Sequence, residues 1–113
     1  MTITLALALF AVAALGGIVL ALIRFKGKPY PPMALALVHG AVAAAGLVTL
    51  IALVAQAKGT SSATTALVLF IVAALGGFGL FFHHIRKVAL PVWLVVVHAL
   101  VAVTAFLILL LGH

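Results

Sequence analysis

The sequence predicts an all-α integral membrane protein: a four-helix bundle made of two tandem, parallel helical-hairpin repeats. Three observations carry that prediction. The 113 residues are 69% hydrophobic with a mean hydropathy of +1.59, more apolar surface than a soluble domain of this size can bury, so lipid must be the solvent. Short polar connections separate four apolar runs, each about the twenty residues needed to cross a bilayer. Finally, the first half of the chain recurs in the second.

The first run, 3–23, has no basic leader and ends in Arg24-Phe25-Lys26-Gly27-Lys28. Signal peptides put their charge first, so this segment reads as a mature helix. Pro29-Tyr30-Pro31-Pro32 is a rigid turn, because proline fixes φ and has no N–H to donate. The second run, 33–55, ends at Gln56-Ala57-Lys58-Gly59. Thr60-Ser61-Ser62 then supplies hydroxyls to cap a third helix over 63–82. His83-His84-Ile85-Arg86-Lys87 closes that helix. A fourth run, 91–111, opens on Pro91 and ends at Gly112-His113.

The repeat is specific. Ala6-Leu7-Ala8-Leu9-Phe10-Ala11-Val12-Ala13-Ala14-Leu15-Gly16-Gly17 matches Ala66-Leu67-Val68-Leu69-Phe70-Ile71-Val72-Ala73-Ala74-Leu75-Gly76-Gly77, with only Ala8 and Ala11 replaced. At nearly the same offset, Pro32 precedes His39 by seven residues and Pro91 precedes His98 by seven. The chain is therefore one membrane domain with repeats over 1–58 and 60–113. Parallel repeats of this kind are related by an axis along the membrane normal.

Charge orients the bundle. Arg24, Lys26 and Lys28 lie in the first connection and Arg86 and Lys87 in the third, while the second holds only Lys58. The positive-inside rule then places both basic connections in the cytoplasm and both termini on the outer, periplasmic side of the inner membrane. Phe25, Tyr30 and Trp93 gather at the same boundary. The basic residues flank apolar runs and form no stripe or arm, which suits anionic headgroups of the lipid bilayer and not nucleic acid. The chain has no Asp, Glu or Cys. That excludes acid/base carboxylate dyads, acidic proton relays, thiolate metal sites and covalent haem attachment.

What chemistry remains rests on His39 and His98. Each lies seven residues into its helix, or ~10 Å from the basic boundary at about 1.5 Å per residue. Gly16, Gly17, Gly76 and Gly77 fall in the same layer on the helices running the other way. A twofold axis brings the imidazoles face to face there, and the glycines remove bulk beside them. The flanking Ala36, Val42, Ala43, Leu94, Val95, Val101 and Ala102 are apolar. A matched pair of intramembrane imidazoles in such surroundings reads as axial ligands to one flat macrocycle, with Arg24 and Arg86 near the end where haem propionates emerge.

Structural readings stand beside the functional one. An intramembrane histidine often bonds a hydroxyl or carbonyl of a neighbouring helix. Here Thr49 and Thr104 lie farther along their helices and helical carbonyls mostly serve their own helix, so such partners are expected to be scarce. Ala13-x-x-x-Gly17 and Ala73-x-x-x-Gly77 also read as small-residue packing motifs. His83 and His84 read as a snorkelling interfacial pair, and His113 as exposed. Phe70, Phe78, Phe81 and Phe82 read as packing or lipid-facing residues.

With His39 and His98 on different helices, the layout resembles small four-helix membrane b-type cytochromes, in which histidines from different helices sandwich a haem. The resemblance implies an electron carrier, not a catalyst, holding one haem b and exchanging electrons with quinol, another cytochrome or a larger membrane complex. Two-haem cytochromes of this type have four core histidines; this chain offers two, which limits the expectation to one haem. The competing class is a cofactor-free accessory or assembly subunit of a membrane complex. Copper, a chlorophyll-type pigment or a small transporter are further alternatives, the last hard to build without membrane-embedded charge.

Overall fold

A computed structural model describes residues 2–56 and 60–113. Lys58, the lone cation of the second connection, lies outside the described residues. The elements are α1 (Ile3–Phe25), α2 (Met33–Ala55), α3 (Ser61–Ile85) and α4 (Val92–Gly112). Local chemistry sets their ends. The Leu5 N–H donates to Thr2 Oγ1 (3.0 Å) and the Ala63 N–H to Thr60 Oγ1 (3.2 Å), which satisfies donors that a helix start otherwise leaves unpaired. Pro32 and Pro91 precede α2 and α4, where a missing N–H is harmless. Helix α3 starts earlier than the hydroxyl run suggested, because Thr60 is the cap and both serines are already helical. Helices α1 and α3 also run on through their polar ends. Each stops only where the chain turns left-handed, at Gly27 (φ 104°) and Lys87 (φ 56°).

The four helices run up-down-up-down. α1 packs mainly on α2 and α3 on α4, and the two hairpins meet along α2–α3 and α1–α4. The diagonals are therefore α1–α3 and α2–α4. The bundle measures 42 × 22 × 19 Å, and its length fits a bilayer of about 40–45 Å including headgroups. All four helices are long and apolar enough to cross it. Large apolar side chains cover the outside, with Phe78 69% and Leu111 82% exposed, a surface that only lipid can solvate. This is an integral membrane four-helix bundle.

Its sealed core lies in the half away from the basic connections. Ala6, Phe10, Leu50, Ala63, Ala66, Phe70, Ala105 and Leu109 form one buried cluster. At its centre the repeat-equivalent rings of Phe10 and Phe70 stack across the α1–α3 diagonal, with centroids 3.8 Å apart and planes within 5°. Small neighbours permit this approach. An added Cβ at Gly46 would sit 3.1 Å from the Phe10 ring, and the alanines at 6, 13, 66 and 73 are all buried on the same two helix stripes. Lipid tails are as apolar as these side chains, so close packing holds the helices together here, with little help from a hydrophobic driving force.

Packing at the centre and solvation at the surface can be separated. Phe70→Ala is expected to destabilise the detergent-solubilised protein by about 3 kcal/mol through loss of packing. Phe78→Ala, which trades one lipid contact for another, is expected to leave the thermal midpoint unchanged. A thermal melt followed by circular dichroism compares the two.

Candidate cofactor site between two repeat histidines

The sealed stripes continue toward the basic end and open there. Following Ala6, Phe10 and Ala13, the next inward positions of α1 are Gly17 and Leu20; following Ala66, Phe70 and Ala73, those of α3 are Gly77 and Leu80. All four are half-buried, as are His39 and His98 on α2 and α4. Of their neighbours one turn away, Ala36, Val42, Ala43, Leu94, Val101 and Ala102 are half-buried too, and only Val95 is buried. This layer is thus more accessible from outside the bundle than the Phe10–Phe70 layer above it.

Each histidine is tied into its own hairpin. The His39 Nδ1–H donates to the Ala13 carbonyl at 2.7 Å, and the His98 Nδ1–H donates to the Ala73 carbonyl at 2.7 Å. These bonds overturn the expectation that carbonyl partners are scarce. A helical carbonyl already accepts from the N–H four residues on, but its second lone pair is usable if the approach is clear. Four residues after Ala13 and Ala73 come Gly17 and Gly77. An added Cβ at Gly17 would lie 3.0 Å from His39 Cε1, and one at Gly77 would lie 3.2 Å from His98 Cε1. At Gly16 and Gly76 the nearest imidazole atoms would be at 3.7 and 3.6 Å, ordinary contact. The second glycine of each pair is the one that lets the ring reach its carbonyl. Thr49 and Thr104 take no part, since their hydroxyls donate back to Ala45 and Leu100 of their own helices.

The bonds also fix the tautomer. A carbonyl can only accept, so Nδ1 carries the proton and Nε2 of each ring keeps a lone pair. The two rings face each other across the α2–α4 diagonal, with centroids 6.4 Å apart and planes at 83°. Metal-bound histidines commonly give their other N–H to a backbone carbonyl. Among the described residues no group of three or more His, Cys, Asp or Glu converges on a metal site. The pair can therefore give a metal two protein ligands, an arrangement that fits a metal whose remaining positions a macrocycle fills.

The basic end carries a second symmetric pair of contacts. The Arg24 Nε–H donates to the Leu90 carbonyl at 2.9 Å, and the His84 Nε2–H donates to the Pro31 carbonyl. Arg24 and His84 occupy equivalent places on α1 and α3, and Leu90 and Pro31 each precede the proline that starts the next helix. The Leu90 N–H also donates to the Pro29 carbonyl at 2.9 Å, so the two connections clasp the hairpins together. His84 is only 5% exposed, which corrects its reading as a snorkelling interfacial residue. Its carbonyl partner comes from the other hairpin, which the apolar periodicity of its own helix does not reveal. His83 is half-buried and donates from Nδ1 to Gly79 of the same helix. The exposed Arg86 lies over the exposed Phe82 ring, 5.3 Å from its centroid. The structure therefore brings His39, His98 and the four glycines together in one layer. Arg24 lies two turns away at the hairpin junction, and Arg86 lies on the outer surface.

The glycine geometry is testable by contrast. Gly16→Ala gains helix propensity of about 1 kcal/mol without a clash and is expected to raise the thermal midpoint. Gly17→Ala gains the same propensity but displaces the His39 ring, losing a hydrogen bond of about 1 kcal/mol, so no net gain is expected. Imidazole nitrogen NMR should show the Nδ1–H signal of His39 altered only in the second variant. Compared with protein-family models, with curated proteins and with solved structures, the chain matches none.

Proposed function

We propose that this chain is a membrane electron-transfer protein that holds one b-type haem between His39 and His98 as axial ligands. It acts as a carrier and not as a catalyst, within or docked to a larger redox complex. The observation that carries the reading is the doubled histidine arrangement: two intramembrane rings, each with its Nδ1–H committed to a carbonyl and its Nε2 lone pair free, 6.4 Å apart. Two ligands are too few for a zinc site built from protein side chains, whereas they complete the coordination of a haem iron.

The haem would supply a one-electron couple. The chain's residues do the rest. The Ala13 and Ala73 carbonyls hold the imidazoles in one orientation and raise their basicity. Gly17 and Gly77 let the rings reach those carbonyls, with Gly16 and Gly76 in ordinary contact beside them. The apolar lining excludes water, which favours the less charged oxidation state. Arg24 has further N–H donors to offer a propionate at the basic end; Arg86 would have to leave the Phe82 ring to do so. The five cations Arg24, Lys26, Lys28, Arg86 and Lys87 at that end support a cytoplasmic location for it, with both termini periplasmic across the inner membrane.

A second reading has one observation in its favour. The same two hydrogen bonds staple α1 to α2 and α3 to α4, a sufficient structural use for both histidines in a cofactor-free accessory subunit.

One measurement separates the two. The purified protein is expected to show sharp Soret, α and β bands in a dithionite-reduced minus oxidised spectrum, with one haem per chain. His39→Ala and His98→Ala are each expected to abolish them. A colourless wild type after growth with haem precursor, whose alanine variants merely lose about 1 kcal/mol of stability, sinks the haem reading and leaves the structural one.

A further inference from the structure

The pseudo-twofold symmetry that unites the repeats fails at one corner of the basic end. There a cavity of about 350 Å³ is lined by Lys28, Lys87, Tyr30 and His84, with Met33 and Ile85 among its apolar walls. The related corner keeps only one polar counterpart, Arg24 in the place of His84, and that side chain is already tied to the Leu90 carbonyl. Val88 stands where Lys28 does, one place after the left-handed residue that ends the helix. Ala89 stands where Tyr30 does, two places before the proline that opens the next helix, and Gly27 stands where Lys87 does.

Lys87 goes against local preference. Its φ of 56° lies in the left-handed region, where a side chain is penalised and glycine is not. The first repeat uses glycine at this position. The second keeps a lysine there, and that lysine lines the cavity. A residue that opposes its own backbone preference points to a use for its side chain.

His84 provides an independent sign of a ligand. It is more than nine-tenths buried, its ring packs against Tyr30 with centroids 5.3 Å apart, and its Nε2–H is taken by Pro31. Its Nδ1 is buried with no partner among the described residues. A buried imidazole nitrogen without a partner is costly. With Nε2–H given to Pro31, Nδ1 is an acceptor, and a ligand hydroxyl in the adjoining cavity can supply the donor it lacks.

We infer that this corner is a binding site for one anionic amphiphile carrying a phosphate ester, such as a phospholipid headgroup. Lys28 and Lys87 meet the phosphate and Met33 and Ile85 meet the first atoms of its apolar part. The chain offers these cations no Asp or Glu, and the cavity lies at the end of the spans, where headgroups are. The site is separate from the histidine pair and does not depend on a haem.

The test titrates the purified full chain, in neutral detergent, with phosphatidylglycerol, with phosphatidylcholine of the same acyl chains, or with inorganic phosphate. Bound lipid is read by native mass spectrometry. Two double variants remove two cations each: Lys28→Gln with Lys87→Gly inside the cavity, and Lys26→Gln with Arg86→Gln outside it. The wild type is expected to prefer phosphatidylglycerol by roughly tenfold. The cavity variant should lose that preference and the outer variant should keep it. Lys87→Gly alone should raise the thermal midpoint, since it relieves the backbone, and so weakened binding cannot be ascribed to misfolding. Three results overturn the proposal: no preference in the wild type, equal loss in both double variants, or inorganic phosphate binding as tightly as the lipid.

Discussion

The structure depends on one repeated interaction: an imidazole N–H reaching a carbonyl inside the neighbouring helix, past a glycine. In water, an amphipathic face would be enough to fix the partner and register of each helix. In lipid, apolar faces discriminate little, and small residues with polar cross-links must set the register. His39 to Ala13 and His98 to Ala73 do this in the two hairpins, at matching depth and distance. Because each bond needs its own glycine four residues past the acceptor, the Gly-Gly pair and the histidine form one unit. Once that unit is fixed in both hairpins, the twofold relation brings the two rings to one level.

The bundle is then closed by different means at its two ends. Away from the basic connections, Phe10 meets Phe70 and small residues allow close approach. At the basic end, Arg24 and His84 reach across to carbonyls of the opposite connection. The histidine layer lies between these closures, and its inward positions are half-buried and not sealed. The two rings in this layer are held by the Ala13 and Ala73 carbonyls of their own hairpins and not by contact with each other.

The fold was legible in the sequence because lipid makes the rules strict. Long apolar runs, prolines at helix starts and a near-identical twelve-residue match leave little freedom, and α2 begins and ends where its run does. The depth of His39, His98 and the four glycines was legible for the same reason, since depth follows from counting residues along a helix. Side-chain bonds to backbone carbonyls were not. Every residue has a carbonyl, so composition gives no hint of which one is reached. A readable sign existed all the same: a glycine four residues after a small residue marks a helical carbonyl that another helix can approach. His84 was obscured by its neighbour His83, and only aligning the repeats, which pairs it with Arg24, separates the two.

Charge ties these features together. A chain with six basic side chains and no Asp or Glu cannot form internal ion pairs with acidic side chains, so its cations must settle on weaker or external partners. Arg24 takes a carbonyl and Arg86 an aromatic face. Lys28 and Lys87 line a cavity beside a buried imidazole nitrogen that has no partner among the described residues. Neutral partners compensate a cation only partly, which leaves the basic end with an unbalanced field directed at whatever lies outside the helices. Lipid phosphates at the membrane surface are the anions within reach. In this chain, then, the missing acidic residues are as much a part of the design as the histidines: the protein is built to draw its counter-charges from its surroundings.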